Sequence, residues 1–284
     1  MGYELWISPH TGIRRKGTTF KEVQSIFIDN ITTKFIYEPI YSCKLTDKCK
    51  YVKEALIYRD FDVVGVIDAE CKVIGYVERE ALAKGLIENY FKKAEPRHLI
   101  SDSTPISKLL NILSDTFFSF VLVEDRVEGI VTRADINKPV VRIYLFGIIS
   151  LFELHLNFWI TEYHRNDSWM GFLKKERLEE AEEIFAERKG KNEELSLLEC
   201  LQLCDKKGIL KDTQPFLVKF GFSKTKFERF LRHVEIVRNE LAHSQNSIIA
   251  NLEWIEFYQA ISAAEDFLHT SEKIVEEKVN ESVK

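Results

Sequence analysis

Three polar residues near the end of a helical segment combine side chains that can act on a phosphate. Arg238, Asn239 and His243 occur together in the string Val-Arg-Asn-Glu-Leu-Ala-His. An arginine guanidinium is planar and permanently charged, so it can bind a phosphate through two hydrogen bonds and stabilise negative charge that develops there. A histidine titrates near neutral pH and can move the proton of a ribose hydroxyl or of a leaving oxygen. These residue types suit cleavage of RNA without a metal ion.

The spacing of Arg238 and His243 makes a site within one chain difficult. Five positions along an α-helix correspond to about 500°, so the two side chains point about 140° apart, whereas Asn239 and His243 share a face. A twofold dimer that joins two such helix ends would complete the site. The alternative is structural: Arg238 pairs with an acid such as Glu235, and His243 lies near a helix C-terminus, where the dipole favours its protonated form.

The string resembles the signature of HEPN domains, small helical bundles in which an arginine, often followed by a polar residue, precedes a histidine by a few positions. The resemblance covers residues 140–276 and implies a dimeric endoribonuclease that leaves a 2′,3′-cyclic phosphate and a 5′-hydroxyl. It gives Arg238 and His243 catalytic roles, and Asn239 would orient His243 or the phosphate. A toxin branch of the family has tyrosine two residues after the histidine, where this chain has Gln245. Other HEPN-like bundles only bind partners or dimerise, so a non-catalytic sensor is the alternative function.

The charge distribution restricts how nucleic acid could bind. The chain has a net charge of -5, so it offers no general basic field, and no DNA partner is expected. Residues 219–243, however, contain six Lys or Arg against three Glu, a local balance of +3. We therefore expect single-stranded RNA to meet a local basic patch. The family resemblance also suggests a defence or stress-response setting.

A second pair of residues, Thr132 and Asp135, could hold a nucleotide. They occur in the string Gly-Ile-Val-Thr-Arg-Ala-Asp that begins at Gly129, where a strand is expected to end and a helix to begin. A hydroxyl at a helix start can donate to phosphate, helped by free backbone N–H groups. An aspartate one turn later can accept hydrogen bonds from both ribose hydroxyls. The structural alternative is that Thr132 caps the helix and Asp135 lies in its first turn.

This string is similar to the nucleotide-binding pattern of CBS domains, and it closes the second copy of a weak internal repeat with a period near 55 to 60 residues. The resemblance implies a CBS pair over residues 31–139 that binds an adenine nucleotide, AMP, ADP or ATP, as a regulatory ligand. Thr132 would face the phosphate and Asp135 the ribose. The base and its surroundings would involve apolar strand residues: Leu99, Ile100, Phe120, Val121, Leu122 and Gly129.

The first copy of the repeat departs from this pattern. Glu78 stands where the hydroxyl is expected and Ala81 where the aspartate is expected. A carboxylate that faces a phosphate repels it. We expect the corresponding site of the first copy to be empty.

The predicted elements are those of a mixed α+β chain, with short strands and helices before Pro139 and helices after it. The two resemblances imply a CBS pair with two small sheets, followed by an all-α HEPN-like bundle. The predicted divisions are an N-terminal extension (1–30), the CBS pair (31–139), the helical domain (140–276) and a polar tail (277–284). Thr19 and Glu22 predict a capping box, and the basic loop before them (11–19) is either plain surface or a phosphate contact. Five helices are expected after Pro139: 140–165, 168–188, 195–208 ending at Gly208, 224–244 capped by Ser223, and one from Ile249.

Composition indicates a cytoplasmic protein without a resident metal. The five cysteines form no CxxC pair and no metal-ligand spacing, and Cys200 and Cys204 are expected to be free thiols. The first residues lack the pattern of a signal peptide. The apolar stretch 140–160 is interrupted by Arg142 and Glu153, so we expect a buried helix and not a membrane span.

Overall fold

The computed structural model describes residues 19–191, 196–243 and 247–282. The described residues form two compact units: residues 27–140 make up one, and the described residues from 141 onward together with residues 19–26 make up the other. Helix α1 (Phe20–Asn30) crosses the first boundary. Its predicted capping box is confirmed, since Glu22 N–H donates to Thr19 Oγ1 over 3.1 Å and Thr19 N–H donates to Glu22 Oε2 over 3.2 Å. Residues 11–18 of the basic loop lie outside the described part.

The N-terminal unit contains the predicted repeat. Each copy consists of a strand, a helix and an antiparallel hairpin of two further strands. The strand before the helix pairs in parallel with the first strand of the hairpin. The first copy comprises β2 (Ser42–Lys44), α2 (Cys49–Arg59), β3 (Val63–Ile67) and β4 (Val73–Glu78). The second comprises β6 (Leu99–Ser101), α3 (Ile106–Asp115), β7 (Phe118–Val123) and β8 (Arg126–Thr132).

Two short strands exchange between the copies. Strand β1 (Glu38–Pro39) precedes the first copy but pairs with β8 of the second, and β5 (Lys92–Lys93) precedes the second copy but pairs with β4 of the first. The result is two four-stranded sheets with the orders β2-β3-β4-β5 and β1-β8-β7-β6. Each sheet therefore depends on residues from both copies.

A glycine stands at each point of exchange because no side chain fits there. A Cβ on Gly75 would lie 2.2 Å from the Lys92 carbonyl oxygen and 2.4 Å from Phe91 Cε2. A Cβ on Gly129 would lie 2.1 Å from Tyr37 Cδ2. Close approach of the neighbouring strand thus accounts for Gly129, which the sequence assigned to the nucleotide site.

The segments that follow each hairpin are shorter helices than the sequence suggests. They are 3₁₀ turns at Arg79–Ala81, Ile87–Asn89 and Arg133–Asn137. In the first copy the chain becomes extended at Leu82, and Gly85 has a φ of +106°, which is incompatible with a continuing right-handed helix.

Helices are the regular secondary structure of the C-terminal unit in its described residues, with short connections between them. Its α-helices are α4 (Pro139–Tyr163), α5 (Lys175–Gly190), α6 (Leu203–Leu210), α7 (Gln214–Lys219), α8 (Lys224–Ala242) and α9 (Trp254–Ser282). Aromatic rings of four of these helices pack together. The ring centroid of Phe152 (α4) lies 5.4 Å from that of Phe230 (α8) and 5.1 Å from that of Phe267 (α9). The Phe267 centroid lies 6.1 Å from that of Phe216 (α7). This cluster packs α4 against α8, the helix that carries Arg238 and Asn239.

Several predicted helix boundaries are wrong. Residues 165–172 form a 3₁₀ segment before α5, because Asn166 and Asp167 adopt left-handed backbone conformations. The helix predicted to stop at Gly208 continues to Leu210, and α7 follows, with Pro215 in its first turn. The last helix begins at Trp254 and continues to Ser282, through most of the predicted tail.

Helix α4 is long and apolar enough to cross a membrane by length and composition. Twelve of its 25 residues are buried, including the large side chains of Tyr144, Phe152 and Trp159. Two buried side chains of α4 bind the same hydroxyl of α9: Trp159 Nε1 donates to Ser271 Oγ over 2.6 Å, and His155 Nδ1 lies 2.8 Å from that oxygen. These contacts make α4 the central helix of the bundle.

Candidate functional site

Helix α8 presents Arg238 and Asn239 at its C-terminal end. The predicted cap at its start is confirmed, because the Ser223 side chain accepts a hydrogen bond from the Lys226 N–H over 3.3 Å. The helix packs through a stripe of buried residues at helical spacing: Phe227, Phe230, Leu231, Val234 and Val237. Arg238 and Asn239 follow this stripe on the exposed side. The packing of α8 thus leaves the two polar side chains accessible.

Arg238 has a different acidic partner from the one that the sequence suggested. Glu235 pairs with Lys207 at 3.1 Å, whereas Arg238 Nε lies 3.6 Å from Glu153 Oε1 of α4. Arg238 Nη1 donates to Asn239 Oδ1 over 3.3 Å. The arginine side chain is still 48% exposed. It is therefore held at two nitrogens while much of the guanidinium faces solvent.

A buried lysine stands on the other side of Glu153. Lys206 of α6 is 3% exposed, and its Nζ lies 3.6 Å from Glu153 Oε2. Burial lowers the pKa of Lys206, and the Glu153 carboxylate opposes that shift. Sequence reasoning missed both roles; the one available signal was a carboxylate within the apolar stretch 140–160. Glu153 thus connects a buried cation to the candidate catalytic cation.

Glu240, the residue after Asn239, holds the last turn of α8 in place. Glu240 is buried, accepts a hydrogen bond from the Asn251 side chain, and its carbonyl oxygen accepts one from Arg142 Nη1 over 3.2 Å. The other carboxylate oxygen, Oε2, has no hydrogen-bond partner within the described residues. These contacts tie the last turn of α8 to α4 and to the segment before α9.

His243 lies just past the end of the helix. It is exposed and has extended backbone angles, and its N–H donates to the Glu240 carbonyl oxygen over 3.2 Å. The prediction of a helix to Ser244 is wrong, since α8 ends at Ala242; Ser244 and Gln245 lie outside the described residues. Over the described ranges, the structure records no hydrogen bond between His243 and Arg238 or Asn239. One chain therefore places the three residues at one helix end without joining His243 to the other two.

His233, on the same helix, is a packing residue. It is buried, its Nε2 lies 3.8 Å from Glu256 Oε1, and burial lowers its pKa. A neutral, enclosed imidazole is poorly placed for work on a substrate. His243 is the exposed histidine of this helix end.

The predicted nucleotide residues contact each other. Asp135 Oδ2 accepts hydrogen bonds from the Thr132 N–H over 2.7 Å and from the Thr132 hydroxyl over 3.0 Å, and Thr132 Oγ1 accepts one from the Ala134 N–H over 3.3 Å. Asp135 is buried, and Lys138 Nζ lies 2.9 Å from its Oδ1. This is the capping arrangement that the sequence left open as the alternative. A ligand at these side chains would have to replace bonds that they make to each other.

The apolar residues expected around the base lie on neighbouring strands. In the parallel pairing of β6 with β7, Leu99 stands opposite Phe120, Ile100 opposite Val121, and Ser101 opposite Leu122. Ile100, Phe120 and Val121 are buried, so Leu99 and Leu122 are the ones with accessible surface.

An aromatic cluster that the sequence did not indicate packs against Phe120. The ring centroid of Tyr76, in the first copy, lies 5.8 Å from that of Phe120 and 5.5 Å from that of His98. The His98 ring stacks on Phe118 with 5.7 Å between centroids. Burial lowers the pKa of His98 and raises the pKa of Tyr76. The cluster joins both copies of the repeat at the strands that carry the predicted site.

The corresponding position of the first copy is occupied by ion pairs. Glu78 lies 2.9 Å from Lys92 Nζ, and Arg79 lies 2.6 Å from Asp62. Ala81, in place of the aspartate, is exposed. The expected loss of nucleotide binding in this copy stays a prediction.

The cysteines and acidic residues form no metal site in the described ranges. No group of three His, Cys, Asp or Glu side chains there could hold a metal ion. The cysteines are free thiols, and burial raises the pKa of both Cys200 and Cys204. Thiols of this kind are poor nucleophiles.

No family model and no curated protein matches the sequence. Among solved structures, CBS domain pairs are similar to the N-terminal part of the chain. The CBS domains of a transcriptional regulator from Streptococcus pneumoniae match with 21% identity and a TM-score of 0.34, covering 38% of this chain and 98% of that one. CBSX2 from Arabidopsis thaliana in complex with AMP matches with 19% identity and a TM-score of 0.35, covering 40% and 96%. The CBS pair of protein MJ0100 with 5′-methylthioadenosine and S-adenosyl-L-methionine matches with 20% identity and a TM-score of 0.33, covering 37% and 91%. These matches leave out most of the helical unit.

Proposed function

We propose that this protein is a metal-independent endoribonuclease of HEPN type whose activity is set by an adenine nucleotide bound to an N-terminal CBS pair. The observation that supports catalysis most directly is the state of Arg238. Its guanidinium is anchored by Glu153 and Asn239 yet half-exposed, at a helix end that also carries an exposed His243. A pre-oriented cation and an accessible histidine are the two groups that cleavage of a phosphodiester requires.

The reaction would proceed by attack of the adjacent 2′-hydroxyl on the phosphorus. A new bond forms between O2′ and phosphorus while the bond to O5′ breaks, which leaves a 2′,3′-cyclic phosphate and a 5′-hydroxyl. His243 would take the proton of the 2′-hydroxyl or supply the proton of the leaving O5′, and Arg238 would stabilise the charge on the non-bridging oxygens. Asn239 would orient the phosphate or His243.

The site would be completed by a second copy of the chain. Because the described residues show no hydrogen bond between His243 and Arg238, we infer that a twofold dimer places the histidine of one copy beside the arginine of the other. A homodimer is thus part of the proposal.

Regulation would act through Thr132 and Asp135. A nucleotide that binds these groups would replace the hydrogen bonds between them, and so would change the 3₁₀ turn that leads into α4. Such a ligand alters activity only if it binds the active and inactive arrangements with different affinities.

The alternative is a nucleotide sensor without catalysis, whose helical unit binds RNA or a partner protein. The Arg238–Glu153 contact supports the sensor, because an arginine that joins α8 to α4 has a structural role without catalysis. The two functions differ in one measurable property, which is whether RNA is cut.

The deciding experiment is incubation of the purified chain with labelled single-stranded RNA in a chelator. We expect cleavage, with cyclic-phosphate ends detectable by mass spectrometry, and a loss on the order of 10²–10⁴-fold in Arg238→Ala and His243→Ala. Arg188→Ala and His269→Ala are matched controls, because both side chains are exposed and lie outside residues 219–243. Equal cleavage by all five proteins would refute the assignment, and no cleavage with or without AMP or ATP would favour the sensor.

A further inference from the structure

A groove of about 580 Å³ lies beside the start of α2, and none of its lining residues belongs to the sites described above. The segment Leu82–Leu86 forms one wall. It is fixed to α2, because Cys49 N–H donates to the Gly85 carbonyl oxygen over 3.0 Å and a single β-bridge joins Lys48 to Leu86. The volume falls within the range of about 300–1,000 Å³ that is typical of small-molecule sites.

The groove is strongly basic in an acidic protein. Its charged lining is four lysines and one glutamate, a balance of +3: Lys48, Lys50, Lys53, Lys84 and Glu54. None of these lysines forms an ion pair with a described residue. By contrast, Lys92 lies 2.9 Å from Glu78 and Lys211 lies 3.1 Å from Glu228, in a chain whose net charge is -5. Unneutralised positive charge collected around a concave surface attracts anions.

The fold of the repeat does not require these lysines. Helices α2 and α3 start at Cys49 and Ile106, each after the first strand of its copy. With these starts aligned, Lys48, Lys50 and Lys53 correspond to Pro105, Ser107 and Leu110. The second copy forms the same helix without positive charge at any of the three positions.

The chemistry of the lining favours phosphate over a nucleobase. The uncharged lining residues are aliphatic or glycine, and the lining contains no aromatic ring, hydroxyl or side-chain amide that could read a base. Lys53 Nζ donates to the Leu82 carbonyl oxygen over 2.8 Å, which fixes one ammonium at the wall and leaves two of its three N–H donors for a ligand. Lysine ammonium groups bind phosphate as point charges.

We propose that this groove binds a compact anion with about three negative charges on linked phosphate groups, recognised by charge and not by a base. The proposal is independent of RNA cleavage and of the nucleotide site at Thr132 and Asp135. Inorganic triphosphate is the minimal probe, and orthophosphate tests whether one phosphate group is enough.

The test is calorimetric titration of the full chain with inorganic triphosphate at low and high salt, without divalent metal. We expect saturable binding that weakens at high salt, and at least tenfold weaker binding in the double variant Lys50→Glu/Lys84→Glu. The matched control is Lys34→Glu/Lys108→Glu, which changes the net charge equally at exposed positions of the same unit that do not line the groove. Its affinity should change by less than twofold.

Further variants separate the groove from folding defects and from the nucleotide site. Lys50→Met/Lys84→Met keeps the aliphatic stems, so it should fold like the parent and still lose triphosphate. Asp135→Asn should bind triphosphate as the parent does. Three results would overturn the proposal: no binding of triphosphate at low salt, equal losses in the groove and control variants, or lysine-dependent binding of a single-stranded RNA oligonucleotide without binding of triphosphate.

Discussion

Glu153 holds two cations at once, so removal of its charge should have two separable effects. At 3.6 Å and an effective dielectric constant near 20, each contact corresponds to about 5 kcal/mol of Coulomb attraction before desolvation is counted. The contact with half-exposed Arg238 contributes at most about 1 kcal/mol net. Lys206 is buried, and a buried charge left without its partner costs about 3–5 kcal/mol. We expect Glu153→Gln to lower the free energy of unfolding by about 3 kcal/mol.

The matched variants are Lys206→Met and the double variant Glu153→Gln/Lys206→Met, compared by urea denaturation at neutral pH. Lys206→Met should cost about 1 kcal/mol, and the double variant should lie within about 1 kcal/mol of it, because no ammonium remains stranded. RNA cleavage should behave differently. Both variants without the Glu153 carboxylate should cleave about tenfold more slowly, since Arg238 has lost its anchor even where stability has recovered.

The pH dependence of stability provides an independent check. Burial lowers the pKa of Lys206 in the folded protein below its ordinary value of 10.5, so the unfolded chain binds more protons between the two values. Stability attributable to this residue therefore rises with pH across that window. The rise should be larger in Glu153→Gln, which loses the opposing attraction, and absent in Lys206→Met.

Two results would refute this reasoning. A loss of less than about 0.5 kcal/mol in Glu153→Gln would mean that Lys206 does not depend on the carboxylate. Full recovery of cleavage in the double variant would mean that Glu153 supports the fold alone and does not position Arg238.

Three further predictions concern other parts of the molecule. Gly129→Ala should destabilise the protein by about 1–3 kcal/mol in urea denaturation, because the added Cβ would overlap Tyr37. Gly208→Ala should stabilise it by about 0.5–1 kcal/mol, because Gly208 lies in a helix interior with open space around it. Equal effects of the two substitutions would contradict the strand-exchange account. Burial lowers the pKa of His155 to about 3, so between pH 6.5 and 3 the folded protein binds fewer protons than the unfolded chain. About 4 kcal/mol of stability should therefore be lost as pH falls from 6.5 toward 3. The variant His155→Gln should lack most of this loss in acid unfolding. Asp135→Asn should weaken AMP binding at least tenfold in calorimetry, and unchanged affinity would place the nucleotide elsewhere.

Patterns with a local physical cause were predictable from the sequence. The capping box at Thr19 and the cap at Ser223 follow from side chains that bond backbone a few residues away, the repeat follows from its recurring pattern of apolar runs and turns, and the structure has all three. The end of the helix predicted at Gly208 was wrong, because packing of Leu203, Ile209 and Leu210 against the bundle outweighs the helix-breaking tendency of one glycine.

Contacts between distant segments were not predictable from one sequence. Glu153, Lys206 and Arg238 lie on three helices separated by more than 30 residues, and no spacing rule connects them. The exchange of β1 and β5 between copies is equally hidden, since each strand is two residues long. The string at Thr132 predicted the end of a strand and the helical turn after it, yet could not show that Thr132 and Asp135 bond each other.

The strand exchange has a consequence for how this unit can be divided. A single copy cut from the chain would keep β1 without the hairpin it pairs with, and would leave the outer edge of β4 open where β5 belongs. Two identical single copies could repair both defects by lending each other their first strands. Neither copy is therefore a self-sufficient folding unit: each needs a partner strand, which in this chain the other copy supplies.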